Sequence, residues 1–124
     1  MTPAAFRKLA LALAGASEGT HGGHPDFRSG GKVFATMGYP DKSWAMVKLT
    51  PDQQEMLCAA EPAMFRPVKG GWGLRGATNL SLAAADARTA RSALAMALKN
   101  VTGMKAVSKR PAASARATKP GGRG

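Results

Sequence analysis

Two short segments constrain the fold of this chain more than any others. Gly31-Lys32-Val33-Phe34-Ala35-Thr36 and, further along, Trp72-Gly73-Leu74-Arg75-Gly76-Ala77-Thr78 both read as strands that begin at glycines. Each has a basic side chain on or beside it. In the first, Val33, Ala35 and Met37 alternate with Phe34 and Thr36, so both faces carry apolar groups and the strand should be central or covered on both sides.

The rest of the chain arranges itself around these strands. Thr2-Pro3 opens a helix, with a hydroxyl at the N-cap and proline where its missing N–H costs nothing. Phe6, Leu9, Ala10 and Leu13 recur at helical spacing and predict one buried face, and Gly15 ends the helix. Residues 15–25, rich in Gly, Ser, Thr and His, predict a loop. Asp26 to Ser29 predicts a short strand, turned by Gly30-Gly31 into Lys32 to Gly38. After turn chemistry at Tyr39-Pro40-Asp41-Lys42, Ser43 to Leu49 predicts a third strand, with Ala45, Val47 and Leu49 buried and Trp44, Met46 and Lys48 opposite. Thr50-Pro51-Asp52-Gln53 is a capping-box helix start, and that helix runs to about Ala60. Residues 61–71 read as an irregular link and Trp72 to Leu82 as a hairpin turned at Gly76-Ala77. A last helix covers about Asp86 to Val101, capped by Asp86, with Lys99 at the negative end of its dipole.

The fold class that follows is α+β: a single antiparallel sheet with helices packed on one side, in the order α-β-β-β-α-β-β-α. The charge distribution divides the chain. Residues 1–102 hold 12 Lys/Arg against 7 Asp/Glu, while residues 103–124 hold 6 Lys/Arg and no acid. Half of the net charge of +11 therefore lies in the last 22 residues. That segment, built from Ala, Pro, Gly, Ser, Lys and Arg, has too little apolar surface to offset backbone entropy. The expectation is one domain over 1–102 and a disordered basic tail over 103–124. The one cysteine, Cys58, excludes an intramolecular disulfide and suits a reducing compartment. The Phe6–Ala14 stretch is too short to span a bilayer, and its Arg7 and Lys8 lie inside it rather than ahead of it as in a signal peptide. A cytoplasmic protein with no membrane partner is expected.

The Gly-Lys-x-Phe-Ala-Thr strand, the Phe65-x-Pro67 link and the Trp72-Gly73 segment together resemble the MmcQ/YjbR-like family. The resemblance covers residues 1 to about 101 and excludes the tail. It implies the same α+β succession and the DNA-binding role with which such proteins are labelled. At Ala77, where members of that family often carry an aromatic ring, this chain has only a methyl group.

Few residues suggest catalysis. There is no Gly-x-Ser-x-Gly elbow, no P-loop and no Gly-x-Gly-x-x-Gly opening a helix. Cys58 falls on an apolar helical position, where a thiol acts as a small hydrophobe. No enzyme activity and no cofactor are expected. Glu18, His21, His24 and Asp26 read as a polar surface loop; taken as a metal site, His21 and His24 would be its ligands. A positive field draws polyanions, and Lys32, Lys48, Arg66, Lys69 and Arg75 are expected to form a basic patch beside Trp44 and Trp72. The indoles would stack on unpaired bases, and Lys105, Lys109, Arg110, Arg116 and Lys119 of the tail, with Arg123, would neutralise phosphates. Nucleic acid, DNA above RNA, is the expected partner. The alternative is a protein-interaction adaptor, dimeric or holding another protein on its sheet. Its seven methionines would give that surface adaptability.

Overall fold

A computed structural model describes residues 1–38 and 41–107 of the chain, without the side chains of His21 and residues 103–107. Four helices and six strands follow in order: α1 (Pro3–Leu11), β1 (Ser17–His21), β2 (His24–Ser29), β3 (Lys32–Met37), β4 (Trp44–Lys48), α2 (Pro51–Ala60), β5 (Phe65–Pro67), α3 (Gly71–Leu74), β6 (Ala77–Ser81) and α4 (Ala87–Val107). The strands form one antiparallel sheet in the order β1-β2-β3-β4-β6-β5. The expected succession is carried by α1, β2–β4, α2, β5–β6 and α4; β1 and the single turn α3 add to it. Residues 108–124 lie outside the described residues, and with them most of the segment expected to be disordered.

Helix starts obey their local chemistry. The Thr2 hydroxyl accepts the Ala5 N–H at 3.1 Å, with Pro3 following. At α2 the Thr50 hydroxyl accepts from the Gln53 N–H at 3.1 Å, and the Gln53 side-chain oxygen accepts from the Thr50 N–H at 2.9 Å. This closes the capping box. Asp86 caps α4: its Oδ1 accepts from the Thr89 N–H at 2.8 Å and its Oδ2 from the Thr89 hydroxyl at 3.0 Å. The Thr89 amide first, then the hydroxyl, hold this carboxyl below its ordinary value of 3.8.

A carboxyl more acidic in the folded than the unfolded chain stabilises the fold fully above its unfolded pKa. The contribution is lost as pH falls through the folded value. Asp86→Asn keeps a capping side chain but cannot ionise. Its melting temperature at pH 7 should stay within about 3 °C of the parent's, while its decline below the ordinary carboxylate range should be shallower. Melting curves from pH 7 to pH 2 test this, and parallel acid limbs would refute it.

The core lies between the sheet and the helices. Phe27, Ala35, Met37, Ala45, Val47, Leu80 and Phe65 occupy successive cross-strand positions on the covered face and are all buried. Phe6 of α1 meets Phe27 edge to face, with centroids 6.1 Å apart. Ala90, Ala93, Leu94 and Ala97 of α4 are fully buried, and the three alanines let the helix lie close against β2–β4.

Three local expectations are corrected. Residues 15–25 are not all loop: Ser17–His21 pairs with His24–Ser29 across a Gly22-Gly23 turn with φ of +59° and +83°, the two-residue hairpin that positive φ at both positions permits. β3 is central, between β2 and β4, as expected, but its apolar groups do not divide as Val33, Ala35 and Met37 against Phe34 and Thr36. A register shift between Phe27 and Arg28 opposes Phe27 to Ala35 but Arg28 to Val33. Phe34 is the extra residue of this bulge, and it and Ala35 are both fully buried. Finally, Trp72–Leu74 belongs to α3 rather than to a strand, and β6 pairs instead with Phe65–Pro67 from the link expected to be irregular. Pro67 is tolerated there because β5 is an edge strand.

Candidate functional site on the open sheet face

Strand alternation sends one set of side chains under the helices and the other to the uncovered face. That second set includes Trp44, Met46 and Lys48 of β4, Asn79 and Ser81 of β6, Arg66 of β5, Thr36 of β3 and Asp26 and Arg28 of β2. One row across the sheet reads Gly19, Asp26, Thr36, Met46, Asn79, Arg66. No helix packs over it among the described residues.

Two groups of cations and indoles stand on or beside this face. The Arg66 guanidinium carbon lies 5.4 Å from the centre of the Trp44 ring. Lys48 Nζ lies 5.6 Å and Arg75 Cζ 5.9 Å from the centre of the Trp72 ring. Exposed cation–π contacts are worth about 0.5–1 kcal/mol each. They set the orientation of these side chains more than they stabilise the fold. Trp44 is half-buried beneath its arginine, whereas Trp72 is 61% exposed and its neighbour Leu74 83% exposed. Trp44 and Lys48 are four residues apart on one strand, so the two groups are separated by about 13 Å along β4.

The backbone around Trp72 is held by close approaches that only glycine permits. Gly70, with φ +82°, leads into α3. A Cβ on Gly73 would stand 1.6 Å from the Val68 carbonyl oxygen, and one on Gly76 (φ +110°) 2.0 Å from the Leu49 carbonyl oxygen. Hydrogen bonds close the corner. Leu49 N–H donates to Gly76 O and Val68 N–H to Ala77 O. The Gln54 amide of α2 donates to Gly73 O at 3.0 Å and Ala77 O at 2.9 Å. From α4, the Asn100 amide donates to Lys48 O at 3.0 Å and to the Gln53 side chain at 2.8 Å. Lys48 is thus tied through its carbonyl to α4, and the turn that carries Trp72 is tied through Gly73 to α2.

Charge on the strands is one-sided. The six strands contain two carboxylates, Glu18 and Asp26. Glu18 meets Arg7 of α1 at 2.6 Å, on the helix side of the sheet. Asp26 is fully buried and gripped by both arms of Arg28, Nε at 2.8 Å and Nη2 at 3.0 Å. Its hydrogen bond and then its charge raise the Arg28 pKa further. Gly19 makes room for this pair: a Cβ there would come within 2.9 Å of Asp26 Oδ1 and 3.0 Å of Arg28 Nε.

Of the residues singled out from sequence, Lys48 and Arg75 converge on Trp72, and Arg66 lies on Trp44. Lys32, at the start of β3, and Lys69, just before α3, are exposed at the same end of the sheet as Lys48. The backbone of Lys105 is in α4, while Lys109, Arg110, Arg116 and Lys119 lie outside the described residues, as does Arg123. His21 and His24 are cross-strand partners at the β1–β2 turn. The carboxylates that would complete a metal site with them are engaged by arginines, and no three His, Cys, Asp or Glu side chains converge among the described residues. Cys58 is half-buried on α2, and burial pushes its thiol pKa up. Leu74, Asn79 and the Asp26–Arg28 pair also belong to this surface. The alternation of Thr78 and Leu80 with Asn79 is the signal that places Asn79 there.

Among the described residues no helix is long and apolar enough to cross a membrane. The sequence model of the YjbR family matches residues 11–95. The crystal structure of Deinococcus radiodurans protein DR2400, which carries a DUF419 domain, superposes with a TM-score of 0.66 at 16% identity, covering 91% of this chain and 92% of that one. It is similar in fold. No curated protein matches the sequence.

Proposed function

The chain belongs to the YjbR family, and on that fold we propose that it binds nucleic acid, DNA foremost, mainly through phosphates and with little sequence specificity. One observation carries the reading: the open face groups Lys48, Arg66 and Arg75 with two indoles, while the only carboxylates on the strands are engaged by Arg7 and Arg28. A polyanion laid there meets cations and no opposing free acid from the sheet.

Phosphates would be received by Lys48, Arg66 and Arg75, with Lys32 and Lys69 extending the positive end of the sheet. Affinity of this kind comes from counterion release and carries no base information. Direct base reading from a helix is not part of the proposal, because α3 is a single turn and α4 packs on the covered face. The tail cations from Lys105 to Arg123 would add further phosphate contacts. A reducing cytoplasm suits the free, half-buried Cys58.

Fluorescence anisotropy of a labelled DNA duplex across a salt series tests this. The parent is compared with a full-length variant in which Lys105, Lys109, Arg110, Arg116, Lys119 and Arg123 are glutamine. Both should bind at low salt. The variant's log–log salt slope should be shallower by up to about five, at about 0.9 for each phosphate it no longer neutralises. If neither protein binds the duplex or the same sequence as a single strand at about 50 mM salt, the reading fails and a protein-interaction adaptor takes its place.

A further inference from the structure

Resting on this nucleic-acid reading, we infer that the open face selects single strands over duplex, with Trp72 the platform for one unpaired base and Lys48 and Arg75 the receivers of its flanking phosphates.

The geometry separates two kinds of nucleic acid. A duplex hides the faces of its bases inside the stack and offers groove edges and phosphates. An exposed indole has little to gain from it, since a ring's face is worth most to another flat π-system. Trp72 is 61% exposed on a turn whose backbone is fixed by Gly73, Gly76 and the Gln54 amide. Such a ring is presented without an entropy cost for ordering its support. Two cations now lie over the ring, within 6 Å of its centre; a base that stacks there takes their place on the ring face and meets them through its flanking phosphates.

The shape of the face points the same way. Reading a major groove calls for an inserted helix or a two-stranded ribbon, and at the Trp72 end the projecting element is one helical turn. A sheet face with aromatic and basic side chains instead lets an extended strand lie across it. The second group lies about 13 Å along β4. There Arg66 covers Trp44 with a planar guanidinium that offers a phosphate donor or a stacking surface of its own. The row between the groups, Met46 and Asn79, is apolar and neutral, and Asp26 at its far side is neutralised by Arg28. An acidic protein segment would satisfy the same cations but would leave the exposed indole face without a flat partner.

The test uses the full chain, a labelled single strand of about 16 nucleotides and the same sequence as a duplex, both followed by anisotropy. The single strand should bind at least about tenfold more tightly. Trp72→Ala should weaken the single strand by about 5-fold to 150-fold, change the duplex by less than threefold, and keep the parent's melting temperature. Trp72→Phe should restore most of the loss, and indole emission should be quenched by the single strand in the parent but largely not in Trp72→Ala. Equal or tighter binding of the duplex, or a Trp72→Ala that leaves the single strand unaffected, overturns the inference and leaves the nucleic-acid reading intact. Absence of binding to either probe removes both. Displacement of the single strand by poly-glutamate at equal charge concentration overturns the inference in favour of an acidic protein partner.

Discussion

Gly76→Ala should cost this domain about 2–6 kcal/mol, enough to remove most of the stability a chain of this size has in reserve. The new methyl would lie 2.0 Å from the Leu49 carbonyl oxygen and 2.8 Å from its carbon, and both are backbone atoms without a rotamer to yield. The residue also sits at φ +110°, where a side chain is strained regardless of space. Moving Gly76 would break its hydrogen bonds with Leu49 N–H and the Thr78 hydroxyl, the latter at 2.8 Å. A fall of at least about 10 °C in melting temperature is expected. Gly71→Ala is the control, because nothing lies within 4 Å of its added Cβ and its φ is not positive. It should be neutral or stabilise by up to about 1 kcal/mol. Thermal unfolding followed by circular dichroism compares the three, and a Gly76→Ala transition within about 2 °C of the parent's would show that the corner yields more easily than its geometry implies.

The second large effect concerns binding. Lys48→Glu with Arg75→Glu places two carboxylates beside Trp72 where two cations now stand. Each reversal replaces attraction for a phosphate by repulsion of comparable size, so the pair should weaken nucleic acid by about a hundredfold or more at low salt. The salt slope should fall by about 0.7 on a single strand, and about 0.9 on a duplex, for each phosphate left without its cation. Both side chains emerge from the surface, so far-ultraviolet dichroism should be unchanged. Lys99→Glu with Arg91→Glu makes the same charge change on exposed α4 positions. Equal losses from the two double variants would mean that net charge, and not this face, governs binding.

How far the fold can be read from residues depends on what each segment buries. Ala45, Val47 and Leu49 alternate because one face of β4 is in the core, so both the strand and its open face are legible, including Trp44, Met46 and Lys48 opposite. Thr50-Pro51-Asp52-Gln53 names its helix start because capping is a local interaction. Ser17–His21 gives no such pattern. It is an edge strand, paired on one side only, and neither Ser17, Glu18 nor Thr20 is buried. Its one sign is the Gly22-Gly23 pair, which suits a two-residue turn between strands. The bulge at Phe34 mimics a strand covered on both sides, since a one-residue register shift is invisible to a period-two pattern.

The functional surface divides in the same way. That cations would gather near the tryptophans follows from their places at strand ends. Which cation meets which ring does not, because Arg66 reaches Trp44 from a strand two positions away in the sheet, and Arg75 reaches Trp72 only because a helical turn replaces the expected strand. The glycines of that turn signal a bend. That Gly73 and Gly76 also mark where backbone meets backbone is a tertiary fact.

Those backbone approaches have a consequence for how the surface can change. The corner is seated on the carbonyls of Val68 and Leu49 and on the Gln54 amide, with no large side chain of its own wedged into the core. Trp72, Leu74 and Arg75 therefore form an interchangeable display: their outward groups can be exchanged, by drift or by design, while the mount that carries them stays where it is. Ligand preference in this architecture is free to diverge faster than the scaffold, and a library randomised at those three positions alone would sample new binding surfaces on an unaltered fold.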